Sequence, residues 1–458
     1  MNLSIYWQEN KRLLEIALPL IAANLVQSSS GFIGTLLLAS LGTDALAASG
    51  LVASLYFALV VVFWGMLSGI AVLISQAHGA NQPDKISSLM RQGMFFTGLI
   101  SIPMMLILWL VPGLLSYSVS DTTILNLATQ YMHAMIWIIV PGSCLVLVEQ
   151  LLIGLQRSSI VMLLSLMSVP LEIIASYVLM FGKWGFPKYG VQGLGYGLAF
   201  AYASVSVIAV VYISWQNDIK SYRIFNQLPR LEWQSLREIF RIGWPIGAMY
   251  GVEVSLFATL ALCMGKLGSI ALDAHQIVMQ FMALEITVAF ALMQATSISV
   301  GYAIGRKDFG NLTAIGHVGM LQAFSIALVV GVIYCLFPNW LVGLDIRYDQ
   351  ANSQAILALT SKLLVIVALF QIVESVRIVA MGALRGMKDT RFAMLNSLLC
   401  FWGIGFSLSY LFGFILDYKA VGLWLGLTLG LCCGALILVM RYQRLAKNYR
   451  QDLEPITE

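Results

Sequence analysis

An internal repeat is the feature that most constrains the fold of this chain. Residues 18–93 align without a gap on residues 244–319. The coinciding pairs include Pro19 with Pro245, Val26 with Val252, Ser29 with Ser255, Gly79 with Gly305 and Gly93 with Gly319. In this register Gln27 coincides with Glu253, an acid inside an otherwise apolar run. The chain is therefore expected to fold as two similar halves, of which one carries an additional buried acid.

The composition is that of a membrane protein. The 458 residues are 59% hydrophobic and 10% charged, with a mean hydropathy of +0.86, whereas soluble domains carry about 25% charged residues. About 20 apolar residues suffice for a helix to cross a bilayer, and long apolar runs recur along the whole chain. They predict twelve transmembrane helices, near residues 13–41, 46–76, 91–117, 126–156, 159–182, 190–215, 236–264, 270–303, 314–341, 354–386, 391–415 and 418–441.

The basic residues predict the orientation in the membrane. Most of the 26 Lys and Arg residues fall on one side of this arrangement, which the positive-inside rule makes cytoplasmic. Both termini are then cytoplasmic. The first apolar run is too long for a signal peptide and is expected to be retained. The basic segment 220–241 is explained as a cytoplasmic loop, so no nucleic-acid partner is expected.

The repeat and the polar connections predict the domain organisation. An N-lobe spans residues 1–215, a cytoplasmic linker 216–235, a C-lobe 236–445, and a polar, disordered tail 446–458. Because each lobe holds six spans, both enter the membrane in the same direction. The predicted fold is therefore an all-α protein of two pseudo-symmetric six-helix lobes, related as parallel repeats around a central cleft.

Ionisable residues within the spans are the candidate functional residues, because each costs at least about 2.5–3.5 kcal/mol to insert. Glu253 is twelve residues past Arg241 and thirteen before Lys266, so it lies about 18 Å inside the helix end. Glu374 has a similar depth. Two such carboxylates can coordinate Na⁺ or share a proton. The alternative is that each is neutral and only structural.

Other polar residues extend both sets of candidates. Arg377 is one turn after Glu374 and can pair with it, or with Glu149 at the equivalent point of the other half. The sequence does not determine whether Glu285 faces the bundle. In the N-half, the polar residues of the first span contribute to helix packing or line a solute site. The N-half candidates are Asn24, Gln27, Thr35, Glu172 and Ser176.

The whole chain resembles the multidrug and toxic compound extrusion (MATE) transporters, most closely their bacterial NorM-like branch. The resemblance is carried by Leu18-Pro19, Gln27–Phe32, Pro245 with Glu253, Ala274–Gln276, Phe370-Gln371 with Glu374, and Leu384–Asp389. It implies a monomeric antiporter of the bacterial inner membrane. Such a protein exports amphipathic, often cationic compounds in exchange for Na⁺ or H⁺, and is neither an enzyme nor dependent on a cofactor.

The resemblance also places the coupling site. The cation site of the family's C-lobe corresponds to Glu253 and Glu374, although the family commonly has Asp at the second position and Tyr at Phe370. Many relatives carry an Asp in the N-lobe where this chain has Gly34. Glu172 and Ser176 correspond to positions where the family often has Asn. The N-lobe acid is thus predicted to have moved to Glu172.

Two other classes compete with the antiporter. A lipid-linked oligosaccharide flippase is similar but usually has more spans and a cavity lined with cationic residues, whereas here only Arg377 is expected to be a buried base. A polytopic membrane enzyme would need a nucleophile or a cluster of His with acids, and neither His133 nor His317 has an acid at motif spacing. The six cysteines and four histidines show no zinc-binding spacing.

Overall fold

The computed structural model describes residues 3–117, 121–222, 224, 231–343 and 353–451. Within these ranges the regular structure is helical. The α-helices are α1 (Leu3–Ala39), α2 (Thr43–Leu67), α3 (Gly69–Gly79), α4 (Pro83–Leu115), α5 (Thr122–Ile136), α6 (Ile139–Gly154), α7 (Ser158–Phe181), α8 (Val191–Trp215), α9 (Asn217–Lys220), α10 (Trp233–Lys266), α11 (Ser269–Gly305), α12 (Leu312–Leu336), α13 (Pro338–Gly343), α14 (Ser353–Gly386), α15 (Thr390–Leu398), α16 (Ser407–Tyr410) and α17 (Lys419–Gln451).

The long helices confirm the prediction of an all-helical membrane protein. Eleven helical segments of the described chain are long and apolar enough to cross a bilayer, and α5 with α6 make a twelfth if that bent pair is one span. Many large apolar side chains on them are exposed, among them Ile102 at 68% and Leu106 at 56%. Such a surface is compatible with the hydrocarbon core of a bilayer, whereas in water it would promote aggregation.

A proline explains the break in the fourth span, which the sequence predicts as one helix over 126–156. The axes of α5 and α6 differ by 46° across Trp137 and Ile138. Pro141 has no N–H group with which to bond the carbonyl of Trp137, four residues earlier, so the helical ladder is interrupted there. The Pro141 carbonyl accepts a hydrogen bond from Ser206 of α8 at 3.0 Å.

Glycines allow α17 to approach the eleventh span closely. Gly422, Gly426, Gly430 and Gly434 recur every four residues on one face of α17, the small-residue pattern of tightly packed membrane helices. A Cβ atom on Gly426 would lie 2.2 Å from the backbone nitrogen of Ser409. The eleventh span is itself irregular, because residues 399–406 and 411–415 form π-helical turns.

The helices group into two compact units. One unit comprises Met1–Ile21 and Ala248–Glu458, and the other comprises Ala22–Gly247. Both boundaries fall within long helices, α1 and α10, whereas the lobes predicted from the sequence divide at the linker 216–235. That lobe assignment stays a prediction. The predicted disorder of the tail is wrong for residues 446–451, which continue α17, and residues 452–458 lie outside the described chain.

Aromatic residues form the core around the buried charges of the first unit. Trp424 of α17 and Phe370 of α14 are fully buried and meet edge to face, with ring centroids 5.3 Å apart. Phe257 of α10 contacts Phe370 and Phe401 in the same way, at 6.4 Å in each case. Helices α10, α14, α17 and the π-helical turn are thereby held together beside the charged residues.

Candidate functional site

Arg377 is the centre of the buried charges in the unit that contains α11–α17. It lies on α14 and is inaccessible to solvent. Its Nε donates to Glu374 Oε2 at 2.7 Å, and its Nη2 donates to Glu374 Oε1 at 2.6 Å. This bidentate geometry is the strongest form of a guanidinium–carboxylate pair. The two residues are one helical turn apart, as the sequence predicts.

Three further contacts fix the guanidinium of Arg377. Its Nη2 lies 3.5 Å from Glu253 Oε2 on α10, and its Nη1 donates to the Ser397 hydroxyl at 3.4 Å. The carbon at the centre of the guanidinium lies 4.7 Å from the centroid of the Phe401 ring, within the range of a cation–π interaction. Arg377 therefore joins three helical segments and two acids.

Glu285 joins the same group through a hydroxyl. It is buried on α11, and Ser375, the residue after Glu374, donates a hydrogen bond to its Oε1. Among the described residues, neither Oε2 of Glu285 nor Oε2 of Glu253 has a hydrogen-bond partner. We call Glu253, Glu285, Glu374 and Arg377 the acid network. With all its carboxylates ionised, the network holds more negative than positive charge.

Arg377 is paired with Glu374 rather than with Glu149. Glu149 lies on α6, within the other unit. The guanidinium is engaged by the acids of its own unit, which favours Glu374 over Glu149 as the partner of Arg377. Glu149 is half-buried.

Glu172 is the buried acid of the unit 22–247. It is 1% exposed and lies on α7. Ser168, one turn earlier on α7, and Ser30 of α1 each donate a hydrogen bond to it. The Gln27 amide also donates to its Oε1, at 3.4 Å. The structure thus brings Glu172 against the first span.

A cavity of about 410 Å³ opens beside Glu172. Gln27, Thr35, Glu172 and Ser176 line it together with Gly34. Asn24, which the sequence predicts in the same site, does not line the cavity. Its carbonyl accepts a hydrogen bond from Ser28 within α1. The other lining residues include the tyrosines Tyr56, Tyr131 and Tyr202.

Some of the polar groups that line this cavity lack hydrogen-bond partners among the described residues. Tyr202 accepts a hydrogen bond from the Gln27 amide at 3.2 Å. In the described part of the chain, the buried hydroxyls of Tyr56 and Ser176 have no hydrogen-bond partner. Unpaired buried hydroxyls are costly, so a polar or cationic solute in the cavity would gain from bonding them.

Several residues of these sites are not among those predicted from the sequence. Ser168 and Ser375 were detectable in principle, since one is four residues before Glu172 and the other follows Glu374. Ser397, Phe401 and Tyr202 were not, because their roles depend on which helices are neighbours. Among the described residues, no group of three or more His, Cys, Asp or Glu side chains is arranged to hold a metal ion.

Two duplicated sets of membrane helices, each with an acid buried among them, define a class: polytopic secondary transporters with an internal repeat. The MatE family model matches residues 19–178 and again residues 245–411. Its two matches begin at Pro19 and Pro245, the pair that anchors the internal repeat. Because they cover well over half of the chain, the protein belongs to the MatE family.

Similar proteins agree over nearly the whole chain. A probable multidrug resistance protein NorM of Synechococcus sp. is 31% identical over 99% of this chain and 98% of its own length. A second probable multidrug resistance protein NorM, from Pseudomonas putida, is 32% identical over 95% of this chain and 94% of its own length. The crystal structure of the eukaryotic MATE transporter AtDTX14 superposes with a TM-score of 0.85, covering 98% of this chain and 99% of that one at 20% identity. The protein is thus a multi-pass, NorM-like multidrug efflux transporter of the MATE family and not an enzyme.

Proposed function

We propose that this protein exports amphipathic, often cationic organic compounds in exchange for Na⁺ or H⁺. The observation that carries the proposal is the acid network, in which two buried carboxylates share a single guanidinium and a third, Glu285, is bonded to the neighbouring Ser375. The description of the relatives as multidrug resistance proteins supports the substrate class. We also propose a monomer in a bacterial inner membrane with both termini cytoplasmic, as the distribution of Lys and Arg favours.

The electrostatics of the acid network explain how it would couple transport to an ion. A carboxylate that is buried and unpaired is costly, because desolvation disfavours its charged form. Uptake of a proton or a metal cation removes that cost. Binding of the ion therefore changes the relative free energies of the transporter's conformations. An ion gradient that fills the network from one side can then drive alternating access.

The cavity at Glu172 provides a place for the exported compound. It combines one carboxylate with aromatic rings and apolar side chains, which suits an amphipathic cation. A proton bound to Glu172 would cancel the attraction for that cation and favour its release. The position of Glu172 beside α1, close to Gly34, supports the prediction that this acid replaces the one missing from the first span.

Drug accumulation in cells tests the proposed function. We expect bacteria that lack their own efflux pumps to accumulate less of a fluorescent lipophilic cation when they express this protein. Collapse of both ion gradients by ionophores should abolish the difference. Equal accumulation with and without the protein, at confirmed membrane expression, would contradict the proposal.

The role of Glu172 makes a separate prediction. We expect Glu172→Gln to abolish efflux driven by a pH gradient alone, because the amide cannot take up a proton. The Gln oxygen can still accept from Ser168, and its NH2 group can donate to the Ser30 hydroxyl, so the fold should persist. The measurement is efflux from proteoliposomes with an imposed pH gradient, with Glu15→Gln, an exposed carboxylate of α1, as the matched control. Undiminished efflux would leave Glu172 with a packing role only.

A further inference from the structure

We propose that Arg377 is a resident cation that occupies the place on Glu374 where a coupling Na⁺ would bind, and that it thereby determines which ion the acid network accepts. The inference rests on the proposed ion coupling and deepens it. It concerns selectivity between ions, which the overall resemblance to multidrug transporters leaves open.

The geometry at Glu374 supports this role. Both carboxylate oxygens accept hydrogen bonds from the guanidinium, at 2.6 and 2.7 Å. A Na⁺ ion bound by Glu374 would need at least one of these oxygens as a ligand, since hard cations prefer oxygen ligands. The Arg side chain cannot lose its charge in a protein. Na⁺ would therefore have to displace a cation that is already in place, or use the remaining lone pairs of these oxygens against the repulsion of that cation.

Displacement is opposed by the surroundings of Arg377. The guanidinium is held over the Phe401 ring and by the Ser397 hydroxyl, and it is inaccessible to solvent. It is also tethered to the helix that carries Glu374, one turn away, so its effective concentration at the carboxylate far exceeds that of a free ion. A diffusible cation that pushed it aside would break the buried bidentate pair of Arg377 with Glu374.

The other two acids of the network have carboxylate oxygens that remain available to the coupling ion. Glu253 Oε2 is 3.5 Å from Arg377 and has no hydrogen-bond partner among the described residues. Oε2 of Glu285 also has no hydrogen-bond partner among the described residues. The coupling ion must therefore interact with Glu253 and Glu285, while Glu374 serves to hold Arg377.

The test replaces the resident cation and asks whether Na⁺ takes its place. We expect the melting temperature of purified Arg377→Met to rise by about 3 °C or more when choline chloride is exchanged for NaCl at equal ionic strength, because a ligand that binds the folded state stabilises it. The wild type should show no such difference. Arg377→Lys, which keeps a tethered cation, should behave like the wild type.

Two variants separate this effect from a general loss of packing. Arg385→Met removes another buried arginine of α14, whose nearest electrostatic partner is Tyr250 and not the acid network, and should gain no response to Na⁺. Arg377→Met combined with Glu374→Gln removes both charges and should also be insensitive. Equal Na⁺ responses of the wild type and Arg377→Met would overturn the proposal. So would failure of Arg377→Met to fold in NaCl when the double variant folds. Neither result depends on efflux, so the proposed transport function is tested separately.

Discussion

Replacing Glu253 by Gln is expected to reduce ion-coupled efflux to the level of empty liposomes. The amide has nearly the same shape but can neither carry a negative charge nor take up a proton, so filling the acid network no longer changes its charge. The fold should persist, because the sequence itself places Gln27 at the equivalent point of the other half. The measurement is efflux of a fluorescent organic cation from proteoliposomes under an imposed ion gradient.

The control for this variant is Glu15→Gln, which removes an exposed carboxylate of α1 and should leave efflux unchanged. Thermal unfolding in detergent should be similar for both variants. If Glu253→Gln exports at the wild-type rate, Glu253 is structural, and the acid network is not the coupling site.

Removal of Arg377 should have the largest effect on stability. Arg377→Met leaves Glu374 buried with an unpaired charge, and breaking a buried pair in this way typically costs about 3–5 kcal/mol. In the absence of Na⁺ we therefore expect little folded protein in the membrane and a strongly lowered melting temperature. Size-exclusion chromatography of the detergent extract and thermal unfolding measure the two effects.

A second substitution identifies the partner of Arg377. Adding Glu374→Gln to Arg377→Met removes the orphaned charge and should restore most of the folded protein. Adding Glu149→Gln instead should restore none, because the charge left behind by Arg377→Met is that of Glu374. Recovery with Glu149→Gln alone, or with neither substitution, would remove the Arg377–Glu374 pair from this account.

The sequence was informative about the fold because membrane burial leaves long apolar runs. Each predicted span corresponds to a helix or a helix pair of the structure, except the span 391–415, in which π-helical turns interrupt the α-helix. The π-helical turns at residues 399–406 were not predictable, because their stretch reads as an ordinary apolar helix. The unit boundaries within α1 and α10 were not predictable either, because they depend on how the helices pack and not on their composition.

The candidate sites were predictable to the extent that their residues are neighbours in the sequence. Arg377 and Glu374 are three residues apart, so helical geometry alone suggested their contact. The connection of Glu285 to Ser375 was not predictable, because α11 is apolar on most faces and its periodicity does not indicate which side meets α14. The hydrogen bond between Ser30 and Glu172 was likewise not predictable from the residues alone, because they do not show that α7 packs against α1.

The most direct test of ion-coupled export is efflux from proteoliposomes in which gradients of H⁺ and Na⁺ are imposed separately. We expect at least one of the two gradients to drive export of a lipophilic cation, and Glu253→Gln to abolish this export. A response to Na⁺ alone would preserve antiport but overturn the role assigned to Arg377. No gradient-dependent export by the wild type, under conditions where a known antiporter is active, would contradict the central claim.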